Sequence, residues 1–166
     1  MRPFLSENQL QIITQALVIS SLDYCNALYI GANQSILKQL QNLQNRAARV
    51  IKGLKRKDHV EPYMEELHWL KVKERVEFKV LLLTFKCIHG LAPKYLCDLI
   101  QYNSNCSGRT VSLHCPQFTS SKAFSAIAPK LWNDLPQDIK QTVNFRFFKN
   151  KLKTHLFRKS YCVYDV

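Results

Sequence analysis

Six apolar residues, Ile36, Leu40, Leu43, Ala47, Val50 and Leu54, follow one another at intervals of four, three, four, three and four. That spacing keeps one face of an α-helix apolar and does not fit the two-residue alternation of a half-buried strand. The helical period recurs along the chain. Ser6 and Gln9 make a capping-box pair ahead of Leu10, Ile13 and Leu17, which predicts a helix from about Glu7 to Leu28. Ser35 caps the Ile36 run, and Gly53 stands where a left-handed residue ends it. Pro62 suits the first turn of a short helix reaching Trp69, and a longer helix runs from about Val72 to His89, before Gly90. Its second half, Val80 to Phe85, is apolar nearly all round and belongs in a core. A short helix from Lys94 to Ile100 follows Pro93, and a last one from about Asn144 to Lys159 carries Phe145, Phe148, Leu152 and Leu156 on one stripe.

The pattern predicts an all-α fold, an irregular bundle of about five or six helices. Residues 1–100 form the main helical core in this reading, with the first four helices at its centre. Residues 101–122, rich in Ser, Asn, Cys and Thr, form a loop-rich link in which Arg109 to Leu113 makes one extended piece. Residues 123–166 form a C-terminal helical segment that packs back on the core. At 166 residues with 46% hydrophobic and 22% charged residues, the chain has ordinary globular composition, which excludes disordered and low-complexity classes.

Charge narrows the partner. Lys and Arg number 24 against 12 Asp and Glu, a formal +12 that favours nucleic acid or another polyanion. The cations gather in two runs free of acids. The first holds Arg46, Arg49, Lys52, Lys55, Arg56 and Lys57; the second holds Arg146, Lys149, Lys151, Lys153, Arg158 and Lys159. A solvated helix face mixes signs, so single-sign runs point to non-specific contact with an RNA or DNA backbone.

Catalytic chemistry finds little footing. The four glycines are too far apart for a phosphate-cradling loop, and there is no Gly-x-Ser-x-Gly or His-Glu-x-x-His. Glu61, Glu65 and His68 share a helical spacing, but a carboxylate-bridged metal site needs a second such motif. Cys87-x-His89 and His114-Cys115 are neighbours in sequence only, and a hydrolase built on either is the weakest reading. Cys97, Cys106 and Cys115 lack the short paired spacing of structural zinc. The expectation is no enzyme, no cofactor, no metal and reduced thiols. Trp69 and Trp132 read as core anchors rather than base-stacking platforms. The apolar stretch from Leu10 to Ile30 is broken by Gln11, Gln15 and Asp23, so neither a membrane span nor a signal peptide is expected, and the chain is placed inside the cell, in nucleus or cytoplasm.

Seven strings in fixed order carry a resemblance: Arg2-Pro-Phe-Leu-Ser-Glu-Asn8, Ala16-Leu-Val-Ile-Ser20 running into Leu22-Asp-Tyr-Cys-Asn-Ala-Leu28, Leu43-Gln-Asn-Arg-Ala-Ala-Arg49, Leu67-His-Trp-Leu70, Gly90-Leu-Ala-Pro-Lys-Tyr-Leu96, Ala128-Pro-Lys-Leu-Trp-Asn-Asp-Leu-Pro136 and Phe148-Lys-Asn-Lys-Leu-Lys-Thr-His-Leu-Phe157. Over almost the whole chain they resemble the C-terminal region of LINE-type, non-LTR retrotransposon reverse transcriptases of the Jockey-like lineages. The resemblance implies a truncated piece of a larger polyprotein, lying past the polymerase palm. The family's Tyr/Phe-Ala-Asp-Asp motif is absent, so no catalytic residue carries over. It implies a non-catalytic accessory segment with RNA, DNA or the upstream reverse transcriptase domain as partner. The alternatives are a helical interaction module, whose Ile36 to Leu54 seam docks on that domain or on a second copy, and a decayed fragment without function.

Overall fold

The computed structural model describes residues 4–103, 111–116 and 123–161. The fold is all-α, an irregular bundle. Helix α1 (Glu7–Thr14) passes through a π-helical turn (Gln15–Ile19) into α2 (Ser20–Asp23), and a 3-10 turn (Asn26–Tyr29) leads to α3 (Gln34–Lys52). Helices α4 (Glu61–Glu66), α5 (Val72–Ile88) and α6 (Lys94–Cys97) follow, then α7 (Phe124–Asn133), α8 (Gln137–Lys140) and α9 (Phe145–Tyr161). Helix α5 lies at the centre, packed against α3, α6, α7, α9 and the 3-10 turn.

The first helix opens as its capping box demands, with Ser6 N–H donating to Gln9 Oε1 at 2.8 Å and Gln9 N–H to Ser6 Oγ at 3.4 Å. Its buried stripe departs from the expected one. The π-turn inserts a residue into the repeat, so the inward positions are Leu10, Thr14 and Ile19, spaced four and then five. Ile13 and Leu17, placed on the apolar stripe by uniform spacing, are 42% and 68% exposed. Ser20 and Ser21 hydroxyls back-bond to the carbonyls of Ala16 and Leu17 in this stretch. The helix then stops at Asp23, short of Leu28, because Cys25 takes a left-handed φ of 50°.

Helix α3 starts one residue before Ser35, with Asn33 at the N-cap position, and ends at Gly53 in the left-handed region (φ 66°). Its buried face is Gln44, Ala47, Ala48 and Ile51, rotated from the Ile36 to Leu54 seam; Ile36, Leu43 and Val50 remain 42%, 46% and 56% exposed. Polar bonding drives the rotation. Gln44, fully buried, donates Nε2–H to Leu70 O at 2.9 Å, and Gln41 Oε1 accepts the Val72 N–H at 2.8 Å. Gln41 thus supplies from α3 the N-terminal cap that Lys71 does not give α5.

Three helices end by the same device. Leu54 N–H reaches Arg49 O at 3.0 Å, Trp69 N–H reaches Met64 O at 3.0 Å, and Leu91 N–H reaches Lys86 O at 2.8 Å. Each closes around a left-handed residue, but after α4 that residue is His68 (φ 52°), where the other two have glycine. The motif ends α4 at Glu66, earlier than the expected Trp69, and His68 leaves the helix.

Among the described residues the apolar side chains form two clusters. The smaller joins Leu10, Ile19 and α3 to Val60, Met64, Leu67 and Trp69. The larger joins α5 to the C-terminal segment through Leu81, Phe85, Leu113, Trp132, Ile139, Phe148, Leu152 and Leu156. The C-terminal segment is thus joined to the core through α5, the fourth of the expected helices. Phe85 stacks between His89 (3.9 Å) and Phe148 (4.3 Å), and Trp132 lies 5.8 Å from Phe148. The link is tied to this core where it is described: Leu113 is fully buried, bridged to Tyr102, and held by the Asn133 amide at 3.0 and 2.8 Å. Residues 104–110 and 117–122, and with them Arg109 and Thr110 of the expected extended piece, lie outside the described residues.

Gln44→Ala is expected to cost about 1–3 kcal/mol, since Leu70 O loses a buried donor; an unchanged urea midpoint would show that the amide contributes nothing. His68→Gly is expected to gain about 1 kcal/mol by relieving the left-handed backbone. A loss there would mean that the imidazole, 5.7 Å from the Phe157 ring, stabilises more than its backbone strains.

Candidate nucleic-acid interface

The first basic run straddles the end of α3, and the fold changes its character. Lys52 Nζ lies 2.6 Å from both Glu7 and Glu66, its side chain only 12% exposed. Bonding to Glu66 and then Glu7 holds its ammonium above the usual lysine pKa. Arg49 is half-buried and points Nη2 at Asp58 O, 3.4 Å away. Arg46 is exposed on α3, and Lys55, Arg56 and Lys57 are exposed in the turn after Gly53, which Asp58 closes by accepting the Lys55 N–H at 2.6 Å. The run is free of acids in sequence but not in space.

The second run lies on α9, whose buried Phe148, Leu152 and Leu156 part the cations onto two flanks. Lys159 Nζ pairs with the buried Glu77 at 3.1 Å and is committed to structure. Lys151 and Arg158 flank a shallow depression against α8, where Lys151 Nζ donates to Asp138 O at 3.2 Å. Arg146 is exposed in the first turn, which Asn144 Oδ1 caps by accepting the Arg146 N–H at 2.9 Å.

Lys149 and Lys153 take the other flank and line a half-open cleft of about 470 Å³. Helix α5 makes its floor with Arg75, Phe78, Lys79 and Leu82. The opposite wall comes from the first fifth of the chain, through Gln11, Gln15, Asp23 and Asn26. One carboxylate lies in the lining, and Arg75 answers it: Nη1 sits 2.8 and 2.9 Å from the two Asp23 oxygens while Nε donates to Leu70 O at 3.0 Å. That leaves Lys79, Lys149 and Lys153, all exposed, with no carboxylate within 4 Å among the described residues. None of the first basic run reaches this cleft.

Comparison with protein-family models, with curated proteins and with solved structures returns no match.

The other chemical candidates are dispersed. Glu61 pairs with Lys71 at 2.9 Å, and His68, beyond the end of α4, no longer shares a helical face with Glu61 and Glu65. Cys87 is buried, which raises its thiol to about 11, while His89 Nδ1 lies 2.9 Å from Phe85 O. Cys25, Cys87, Cys97 and Cys115 are free; Cys106 and Cys162 lie outside the described residues. No group of three metal-ligating side chains gathers among the described residues. Trp132 is fully buried, and Trp69, 4% exposed, closes one end of the cleft.

Lys79 escaped the charge pattern because Glu74, Arg75 and Glu77 precede it within two turns. Only the packing of α5 on α9 reveals it. Lys52→Gln is expected to lower stability by under about 1 kcal/mol, as exposed carboxylate partners dictate, and to leave affinity for single-stranded DNA unchanged. A drop in that affinity, measured by anisotropy on the folded variant, would place Lys52 in the interface.

Proposed function

We propose that the chain is a non-catalytic accessory segment of a LINE-type retrotransposon reverse transcriptase, which holds RNA or DNA by its backbone. The observation that carries this reading is the gathering of Lys79, Lys149 and Lys153, unopposed by carboxylates, on the facing sides of two helices. Phosphates need little more than positive charge within reach, because release of their counterions drives the association. Arg46, Lys55, Arg56, Lys57 and Arg146 are exposed cations that extend the field, whereas Lys52 and Lys159 serve ion pairs. The seven ordered strings supply the parent. With no Ala-Asp-Asp motif, the polymerase chemistry belongs to the upstream palm. Among the described residues no helix is long and apolar enough to cross a membrane, and nucleic acid as partner places the chain in nucleus or cytoplasm.

A second reading rests on Ile36, Leu43 and Val50, seven residues apart and 42–56% exposed along α3. An apolar row of that period suits docking on the upstream domain or on a second copy.

Anisotropy with a labelled RNA hairpin, single-stranded DNA and duplex, between about 50 and 200 mM salt, separates the two. Backbone holding predicts affinity that falls steeply with salt, and a log–log slope shallower by roughly two units in Lys149→Ala/Lys153→Ala. Absence of binding by a folded chain would overturn it; concentration-dependent self-association abolished by Leu43→Asp would favour docking.

A further inference from the structure

We infer that the cleft between α5 and α9 takes one unpaired nucleotide of a bound single strand, with its phosphate on Lys79, Lys149 and Lys153 and its base against Phe78. This rests on the nucleic-acid reading and goes beyond it. Backbone holding needs only a positive surface, and a convex one serves a duplex well. Here the same cations ring a concavity of about 470 Å³, within the roughly 300–1,000 Å³ of small-molecule sites. A duplex keeps its bases stacked inside and has nothing to place in such a hollow, whereas a single strand presents each base with its phosphate attached.

The lining suits that ligand from rim to floor. Three ammoniums without carboxylate partners match a phosphate group, and Arg75 does not compete for it because Asp23 already occupies its Nη1. Phe78, half-buried on the floor, offers a ring to a planar base. The far wall is amide rather than charged: Gln11 and Gln15 carry donors and acceptors fit for the edge of a base, and neither has a side-chain hydrogen bond among the described residues. Deeper in the same wall Asn26 is 4% exposed, with Nδ2 turned to Asp23 at 3.4 Å and Oδ1 without a partner. A buried acceptor left unpaired is costly, and it lies among the residues that line the cleft. A sugar phosphate or a dicarboxylate would use the lysines but leave the Phe78 ring unmatched.

The test compares three probes on the full chain: a labelled single strand of about 12 nucleotides, an abasic strand with the same phosphates, and a blunt duplex. The expected result is that the ordinary strand binds at least about tenfold tighter than the abasic one, the size of one well-placed base. Phe78→Leu, which keeps apolar volume, and Gln15→Ala, at an exposed position, should each shrink that preference while the abasic affinity stays put. Adenosine monophosphate should displace the ordinary strand down to the abasic level and quench Trp69, where ribose phosphate does not. Equal binding of ordinary and abasic strands with a common salt slope would overturn the nucleotide pocket and leave backbone holding intact. Loss of all three probes in a folded chain would overturn both. Quenching by the mononucleotide without any strand binding would also overturn the inference, since the ligand would then be a free nucleotide.

Discussion

Two glutamine amides on α3 decide where α5 begins, and α3, α6, α7 and α9 are packed against α5. Gln41 caps the Val72 N–H and Gln44 holds Leu70 O, so the turn into α5 is fixed by side chains 26–31 residues upstream. The same carbonyl accepts from Arg75, Arg75 holds Asp23, and Asp23 accepts from Asn26. One polar chain therefore runs from α3 through the head of α5 to the 3-10 turn. Networks of this kind gain from the low dielectric around them and fail when a single member is missing. It also explains how the N-terminal segment comes to wall a cleft whose floor is α5: the ion pair that docks that segment is the one that answers the carboxylate in the lining.

The long helices were legible because their signals are local. The four-and-three spacing of α3, the left-handed glycines at its end and after α5, and the Phe145 to Leu156 stripe of α9 all act within a few turns of chain. Legibility fails where a local pattern competes with a distant partner. Gln41 and Gln44 look like surface residues of α3 until Leu70 and Val72 arrive, and the bonds they make face the helix away from its apolar seam. The π-turn likewise moves the inward stripe from Leu17 to Ile19 with no glycine or proline to announce it. His68 is a third case, since nothing but the backbone geometry marks it as the residue that ends α4.

Electrostatics was the least legible property. An acid-free run in sequence guarantees only that no carboxylate lies nearby along the chain, while ion pairs form across it. Glu7 and Glu66 come from both sides to hold Lys52, and Glu77, 82 residues before Lys159, holds that one. Conversely, Lys79 looks neutralised by Glu74 and Glu77, yet Glu77 is taken up by Lys159 and leaves it unopposed. The pairing that removes one cation from the candidate interface thus releases another into it, and the useful charge count is the one left after pairing.

The two functional readings use different parts of the fold. The cleft is built by α5, α9 and the N-terminal segment, and the exposed apolar row belongs to α3, none of whose residues line the cleft. Helix α9 is held by Phe148, Leu152 and Leu156, so Lys149 and Lys153 on its flank can be used without supporting the core. The α3 row is likewise dispensable for packing, since the inward face of that helix is Gln44, Ala47, Ala48 and Ile51. Each surface can therefore be altered while the fold stands. An accessory segment gains from that separation, because one face can hold a strand while another meets the protein that acts on it.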